Sequence, residues 1–326
     1  MRRGPGHLLL LFLLALLPAP AQDLYRMAKS ADAMGGTFTV AVYGSDRDQM
    51  ETAIDSALAE AQRLDALLSN YRPESPWSAI NRAAAERPVK ISAELFQLLS
   101  ACERYSVASD GAFDLTVGPL LKVWGFYKGS GRLAPPAELA AALRTVGYRH
   151  VHLDASAQTV AFDIPGVELD PGGIGKGYAV DRMVEILKQH GVASALVAGA
   201  ESSIYGLGAP PYEPRGWRVG IRDPWNSRKS VAEVYLKDMS LSTSGSAEKS
   251  FQAAGRTYSH IMDPRTGYPA QGTVSVSVIA PHTIDSEAWA KPYFVNGRRW
   301  TAAHLGQGFR VFLCPDDRKL ACAWVE

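Results

Sequence analysis

Cysteine is scarce: the 326-residue chain holds three, Cys102, Cys314 and Cys322, with neither a CxxC pair nor zinc-ligand spacing. A zinc module and a dithiol redox motif are thereby excluded. Charge of one sign is lacking too. The net charge is +1, and no dense Lys/Arg run occurs past the first three residues, so bulk nucleic-acid binding has no support. No Ser-His-Asp elbow and no HExxH stretch is present, which argues against a common hydrolase or zinc protease. The glycine spacings of the dinucleotide fingerprint and of the P-loop are missing. No internal repeat, low-complexity tract or convincing linker breaks the chain.

What remains is globular composition, 47% hydrophobic and 21% charged, enough for one large core or two smaller ones. Arg2 and Arg3 precede an apolar block, Leu8 to Leu17, and then Pro18-Ala19-Pro20-Ala21. A positive start, a short apolar centre and a small-residue site predict a cleaved secretory signal over residues 1–21. The block is too short to span a bilayer comfortably. The expectation is export to a periplasm or cell envelope, with the membrane met only through that signal. Residues 22–326 then form one domain, with two lobes.

Gly36 to Tyr43 alternates like a strand, and Asp48 to Leu68 carries Ile54, Leu58, Ala61, Leu64 and Leu68 at helical spacing. Ser92 is the expected N-cap of a helix reaching Ser109, with Cys102 in its core face. Pro136 to Val146 and Ile174 to His190 read as helices, the second stopped by Gly191. Val151 to Leu153 and Thr159 to Phe162 read as a hairpin, while Ala195–Val197, Trp217–Ile221, Val231–Leu236 and Val274–Ile279 are strand-like. Cys314 and Cys322 flank a turn at Pro315-Asp316-Asp317, and they suit a cross-strand disulfide or two buried thiols equally well. Strands and helices mix without strict alternation, which predicts an α+β fold with mixed or antiparallel sheets.

Three stretches carry chemistry. Leu169-Asp-Pro-Gly-Gly-Ile-Gly-Lys176-Gly-Tyr-Ala-Val-Asp181 is a glycine-rich turn feeding a helix, with a lysine at the junction. Glycines let backbone approach a ligand, and free amides at a helix start attract a pyrophosphate. Taken alone, a tight turn with a solvated lysine accounts for it as well. Ser242-Thr-Ser-Gly245 offers hydroxyl donors to phosphate or sugar oxygens, and Ser259 to Gly267 contains His260, a donor or acid/base. Asp263 to Gly267 equally makes a plain turn. Ser109 to Pro119, followed by Trp124-Gly-Phe126, reads as core aromatics around a turn, or as Asp114 gripping an adenine or flavin edge.

Taken in order, these stretches resemble the FAD:protein FMN transferase (ApbE-like) family. The matching runs are Ala33–Thr37, Leu68–Tyr71 with Ser75 and Asn81, Asp110–Phe126, Asp170–Asp181, Gly199–Gly206, Ser242–Gly245, Ser259–Pro269 and Ser286–Gly297. The resemblance implies an exported α+β protein holding FAD between two lobes. A Ser or Thr hydroxyl of an exported or membrane-anchored acceptor protein attacks, FMN becomes phosphoester-linked, and AMP leaves, with Mg²⁺ beside the pyrophosphate. Carried over by position, Met34, Tyr71, Ala112, Phe113, Asp114, Asp170, Lys176 and Met262 contact FAD, with His260 close by. The carbonyl of Gly173 is the implied metal ligand, and Glu287, Lys291 and His260 stand at the catalytic positions.

The metal positions depart from the family pattern. Where the family has Ala-Asp-Ala and a Thr four residues after the Asp, this chain has Ser286-Glu287-Ala-Trp-Ala-Lys291-Pro292. Glu287 has a longer arm than the octahedral geometry of Mg²⁺ favours. Lys291 replaces a hydroxyl by a cation that pairs with Glu287 across one helical turn, and Pro292 is expected to disturb the helix. Gly199-Ala200-Glu201 and Ser75-Pro76 are milder departures. Three readings follow: a transferase, with Asp285 as a carboxylate for a displaced metal; a catalytically silent FAD-binding protein; and an FAD pyrophosphatase that uses water.

Overall fold

The computed structural model describes residues 24–127 and 129–326, so the expected signal over residues 1–21 lies outside the described residues. The described residues open on a hairpin of β1 (Tyr25–Ala33) and β2 (Gly36–Gly44). Helix α1 (Arg47–Leu68) follows, started by Asp46, whose carboxylate accepts from Gln49 N at 3.0 Å. Its apolar spacing buries Ile54, Leu58, Leu64 and Leu68 on one face, each contributing about 1.5–3 kcal/mol. Next come α2 (Pro76–Ala83), β3 (Val89–Lys90), α3 (Ala93–Ala108), α4 (Gly118–Val123) and α5 (Pro136–Leu143). Ser92 caps α3 as expected, accepting from Leu95 N at 3.2 Å, and Cys102 is buried on its inner face.

The hairpin of β4 (Val151–Asp154) and β5 (Thr159–Phe162) leads to α6 (Gly175–Gln189), which Gly191 stops with a φ of +76°. After α6 come β6 (Ala195–Gly199), β7 (Ser203–Leu207), β8 (Trp217–Asp223), β9 (Asn226–Leu236) and β10 (Met239–Gly245). The chain finishes with β11 (Ser250–Ala253), β12 (Arg256–Ser259), β13 (Thr273–Ala280), α7 (Thr283–Ala303), β14 (Arg310–Pro315) and β15 (Ala323–Trp324). An eight-stranded sheet runs in the order β1-β2-β6-β7-β10-β13-β14-β15, and every ladder in the described residues is antiparallel. The fold is α+β, and the sheets are antiparallel rather than mixed.

Helices α1, α6 and α7 cover one face of that sheet, burying Phe38, Val40, Ile54, Val180, Met183 and Tyr293. The β8–β9 hairpin covers part of the other face through Ile221, Val234 and Leu236. A second body of core lies beside α2, α3 and β5, around Trp77, Leu95, Phe113 and Ile174. No helix among the described residues is long and apolar enough to cross a membrane.

Helices α6 and α7 are locked by reciprocal caps. The amides of Thr283 and Ile284, at the start of α7, donate to Asp181 of α6 at 2.7 and 2.8 Å. One turn into α7, Glu287 accepts through Oε2 from the amide of Gly177, near the start of α6. Each helix thus answers orphan N–H groups of the other. Gly177 permits the approach: a β-carbon there would stand 2.5 Å from Thr283 O and 2.9 Å from Glu287 Oε2.

Three readings of the sequence change here. Ser242–Gly245, expected to offer hydroxyls to phosphate or sugar oxygens, is part of β10 inside the sheet. Its Ser242 hydroxyl bonds Ser286 of α7 at 2.8 Å, and Thr243 bonds Ser277 at 2.7 Å. Pro292 lies within α7, and the helix breaks only at Gly297, whose φ of +72° is non-helical. Burial of Pro292, Tyr293 and Phe294 holds this turn in place where local propensity alone would end it. Cys314 and Cys322 form a disulfide, which decides between the two readings left open.

Two outcomes are expected. Gly177→Ala forces backbone and carboxylate apart and lowers stability by about 1–3 kcal/mol, read by denaturant unfolding. Reducing Cys314–Cys322, with a sequence separation of 8, lowers the unfolding free energy by about 2–3 kcal/mol, measured with and without reductant.

Candidate functional site: two joined cavities at the start of helix α6

The glycine-rich turn between β5 and α6 is built by Asp170. Its Oδ1 accepts from Gly172 N at 2.9 Å and its Oδ2 from Asn70 Nδ2 at 2.6 Å. Desolvation holds this carboxyl above its ordinary value, and the two bonds oppose that shift. The turn is pinned, and α6 begins at its end with Lys176 in the first turn. Lys176 has no ion pair with any described residue.

A cavity of about 680 Å³ opens over this turn, within the roughly 300–1,000 Å³ usual for small-molecule sites. Met34, Tyr71, Asp170, Lys176 and His260 line it. Met34 sits at the tip of the β1–β2 hairpin with a φ of +50°, and its amide donates to Asp65 Oδ1 at 2.9 Å. Tyr71 stacks on Tyr127 with ring centroids 4.9 Å apart and planes 10° from parallel. The pair forms an aromatic wall, and such faces attract flat rings. Ala200 and Glu201 also line the cavity and hold left-handed φ values of +49° and +60° in the β6–β7 turn, where the sequence lacks the expected glycine.

A smaller cavity of about 100 Å³ adjoins it. Asp170, Gly172 and His260 belong to both; Ala112, Phe113, Asp114, Gly173, Met262 and Lys291 line the smaller. Of these, Asp114 is engaged by neighbouring donors: its carboxylate accepts from Thr116 N at 2.8 Å, Thr116 Oγ1 at 2.7 Å and Tyr148 N at 2.6 Å. Burial raises the Asp114 carboxyl above its usual range. Phe113 and Met262 are buried core at the cavity floor.

His260 has a defined hydrogen-bonding role. Its Nδ1 lies 3.2 Å from the carbonyl of Lys249, which only accepts, so Nδ1 carries the proton. Nε2 lies 4.0 Å from Glu248. Burial lowers the pKa of His260 from 6.5, against the pull of Glu248, and the ring is neutral at pH 7.

The three positions expected at a metal are brought together. Lys291 is one turn beyond Glu287, its Nζ 3.3 Å from Glu287 O and 4.0 Å from Glu287 Oε1. Its Cε lies 3.7 Å from where a β-carbon on Gly173 would stand. Burial lowers the Lys291 ammonium from its usual value, and Glu287 opposes this. The donors do not suit Mg²⁺. Glu287 is buried and already engaged by Gly177 N, and the Lys291 ammonium lies 4.0 Å from its other oxygen. Asp285 is turned away and accepts from Tyr105 OH at 2.6 Å. Among the described residues, no group of three or more His, Cys, Asp or Glu is arranged to hold a metal ion.

Sequence reasoning did not single out Asp65, Asn70, Tyr127 or Lys249 of this wall. Asn70 stands inside the matched run Leu68–Tyr71 and was within reach; Tyr127 comes next after Phe126.

The ApbE family's sequence profile matches residues 34–312. A FAD:protein FMN transferase of Treponema pallidum is 33% identical over 294 residues, covering 85% of this chain and 81% of that protein. One from Klebsiella pneumoniae is 32% identical over 283 residues, covering 85% of each. The crystal structure of the ApbE protein of Thermotoga maritima superposes with a TM-score of 0.83 at 29% identity, covering 93% of this chain and 97% of that one. The apo flavinyl transferase ApbE of Pseudomonas stutzeri gives 0.79 at 29%, covering 93% and 94%. With most of its length matched in sequence and in backbone, this chain belongs to the ApbE family.

Proposed function

We propose that the chain binds FAD and transfers FMN to a Ser or Thr hydroxyl of an acceptor protein, releasing AMP. The observation that carries this reading is the joined cavity, which sets an aromatic wall, Tyr71–Tyr127, beside a pinned glycine turn and Lys176. A flat ring on the wall leaves the pyrophosphate over the start of α6, where the positive end of the helix and Lys176 face an anion. The relatives' name as FAD:protein FMN transferases supports the same assignment.

In the reaction, the acceptor oxygen forms a bond to the phosphorus on the FMN side. The bridging P–O bond to AMP breaks, and AMP leaves with the electron pair. Nε2 of neutral His260 takes the hydroxyl proton. Met34 and Asp170 contribute by position: one closes the hairpin side of the cavity, and the other keeps the Gly172–Gly173 turn in shape. No step is routed through Mg²⁺, because the donor set does not suit it.

Export completes the proposal. The N-terminal pattern supports it, as does the Cys314–Cys322 disulfide, a bond that persists in oxidising compartments. The acceptor is then a protein of the same compartment, exported or membrane-anchored.

A second reading, a silent FAD-holding protein, draws support from Lys291 beside Glu287. Incubating the purified chain with FAD and a threonine peptide separates the readings. AMP with flavin on the peptide is expected. AMP and free FMN without labelling would mean water attack, and bound FAD without turnover would mean the silent reading. His260→Ala lowers transfer by roughly 10²–10⁴-fold. In the wild type, the rate is level above pH 6.5 and falls in acid as the lowered His260 pKa is passed and the ring protonates. A rate that rose in acid would remove His260 as the base.

A further inference from the structure

We propose that the Lys291 ammonium is a built-in cation for the FAD pyrophosphate, so that this site holds FAD without a divalent metal. The inference rests on the FAD reading above and deepens it.

Lys291 is placed for this role by the lock between α6 and α7. Glu287, with its side chain 3% exposed, is held against Gly177 N beneath the cavity wall. One turn later Lys291 comes up beside the Gly173 backbone and lines the smaller cavity, with 23% of its side chain exposed. From the other side, Lys176 leaves the first turn of α6 into the larger cavity. Lys176 lines the larger cavity and Lys291 the smaller, and the two cavities share Asp170, Gly172 and His260. Glu287 pairs with Lys291, while Asp170 and Glu248 line the larger cavity together with Lys176 and Lys249. Two lysines bracketing the Gly172–Gly173 turn present the complement of a pyrophosphate, a diester with two negative charges.

A divalent ion in the same volume would need Glu287 to release the Gly177 amide and Lys291 to withdraw. That would leave a buried backbone donor unpaired, which is costly. The lysine therefore does not coexist with the metal; it stands in its place.

The test is FAD affinity, read from flavin fluorescence on the purified chain, in EDTA and in excess Mg²⁺. The expected result is the same Kd in both, within about twofold. Lys291→Thr should weaken binding in EDTA by tenfold or more, and Lys291→Arg, which keeps the cation, should retain metal-free binding. Lys291→Thr combined with Glu287→Asp should bind FAD more tightly when Mg²⁺ is added. Thermal unfolding of each variant checks that the fold is kept. Wild-type binding that requires Mg²⁺ would overturn the proposal while leaving the FAD reading intact. So would undiminished metal-free binding by Lys291→Thr. No FAD binding in either buffer would overturn both.

Discussion

A single backbone amide, that of Gly177, sets how near α7 comes to α6. Once its partner is Glu287 and the start of α7 is answered by Asp181, the two helices have one register and little freedom to slide. The rest of the site inherits that register. The turn Pro171–Gly173 sits on the end of α6, Lys291 stands beside that turn, and Ser286 next to Glu287 reaches Ser240 and Ser242 in the sheet. An amide and a carboxylate in a buried, low-dielectric place make a strong charge-assisted bond, so the arrangement is rigid where a ligand needs it rigid.

The sequence made the scaffold legible wherever periodicity and caps agree. The spacing of Ile54, Leu58, Leu64 and Leu68 and the Ser92 cap pointed to elements found where expected. Strand β10 was harder. Serines and threonine read as donors for a ligand, whereas Ser242 is satisfied by Ser286 of α7 and Thr243 by Ser277 of β13. Pro292 misled for a related reason, since burial of its neighbours outweighs the local preference of proline. Both cases are tertiary partners overriding local signals, and one chain read alone does not reveal those partners.

The candidate site was legible as an ordered set of motifs more than as any one of them. Met34, Tyr71, Asp170, Lys176 and His260 lie far apart in sequence and meet around one cavity. Asp114 looked like a ligand group, yet its oxygens are taken by Thr116 and Tyr148. A buried carboxylate followed two residues later by a threonine is an Asx-type turn as readily as a grip on a ligand. Tyr127 escaped notice because nothing local distinguishes a stacking partner from another core aromatic.

The disulfide of the terminal hairpin also shapes how the large sheet meets other chains. At that end the last strand, β15, is two residues long and stitched to β14 next to it, leaving almost no ladder for a foreign strand to extend. At the opposite end, among the described residues, nine-residue β1 forms the border, with alternate side chains exposed. There Lys29, tied to Glu51 and Asp55, places charge along the border. Self-association by strand addition is thus obstructed by covalent closure at one border and discouraged by charge at the other.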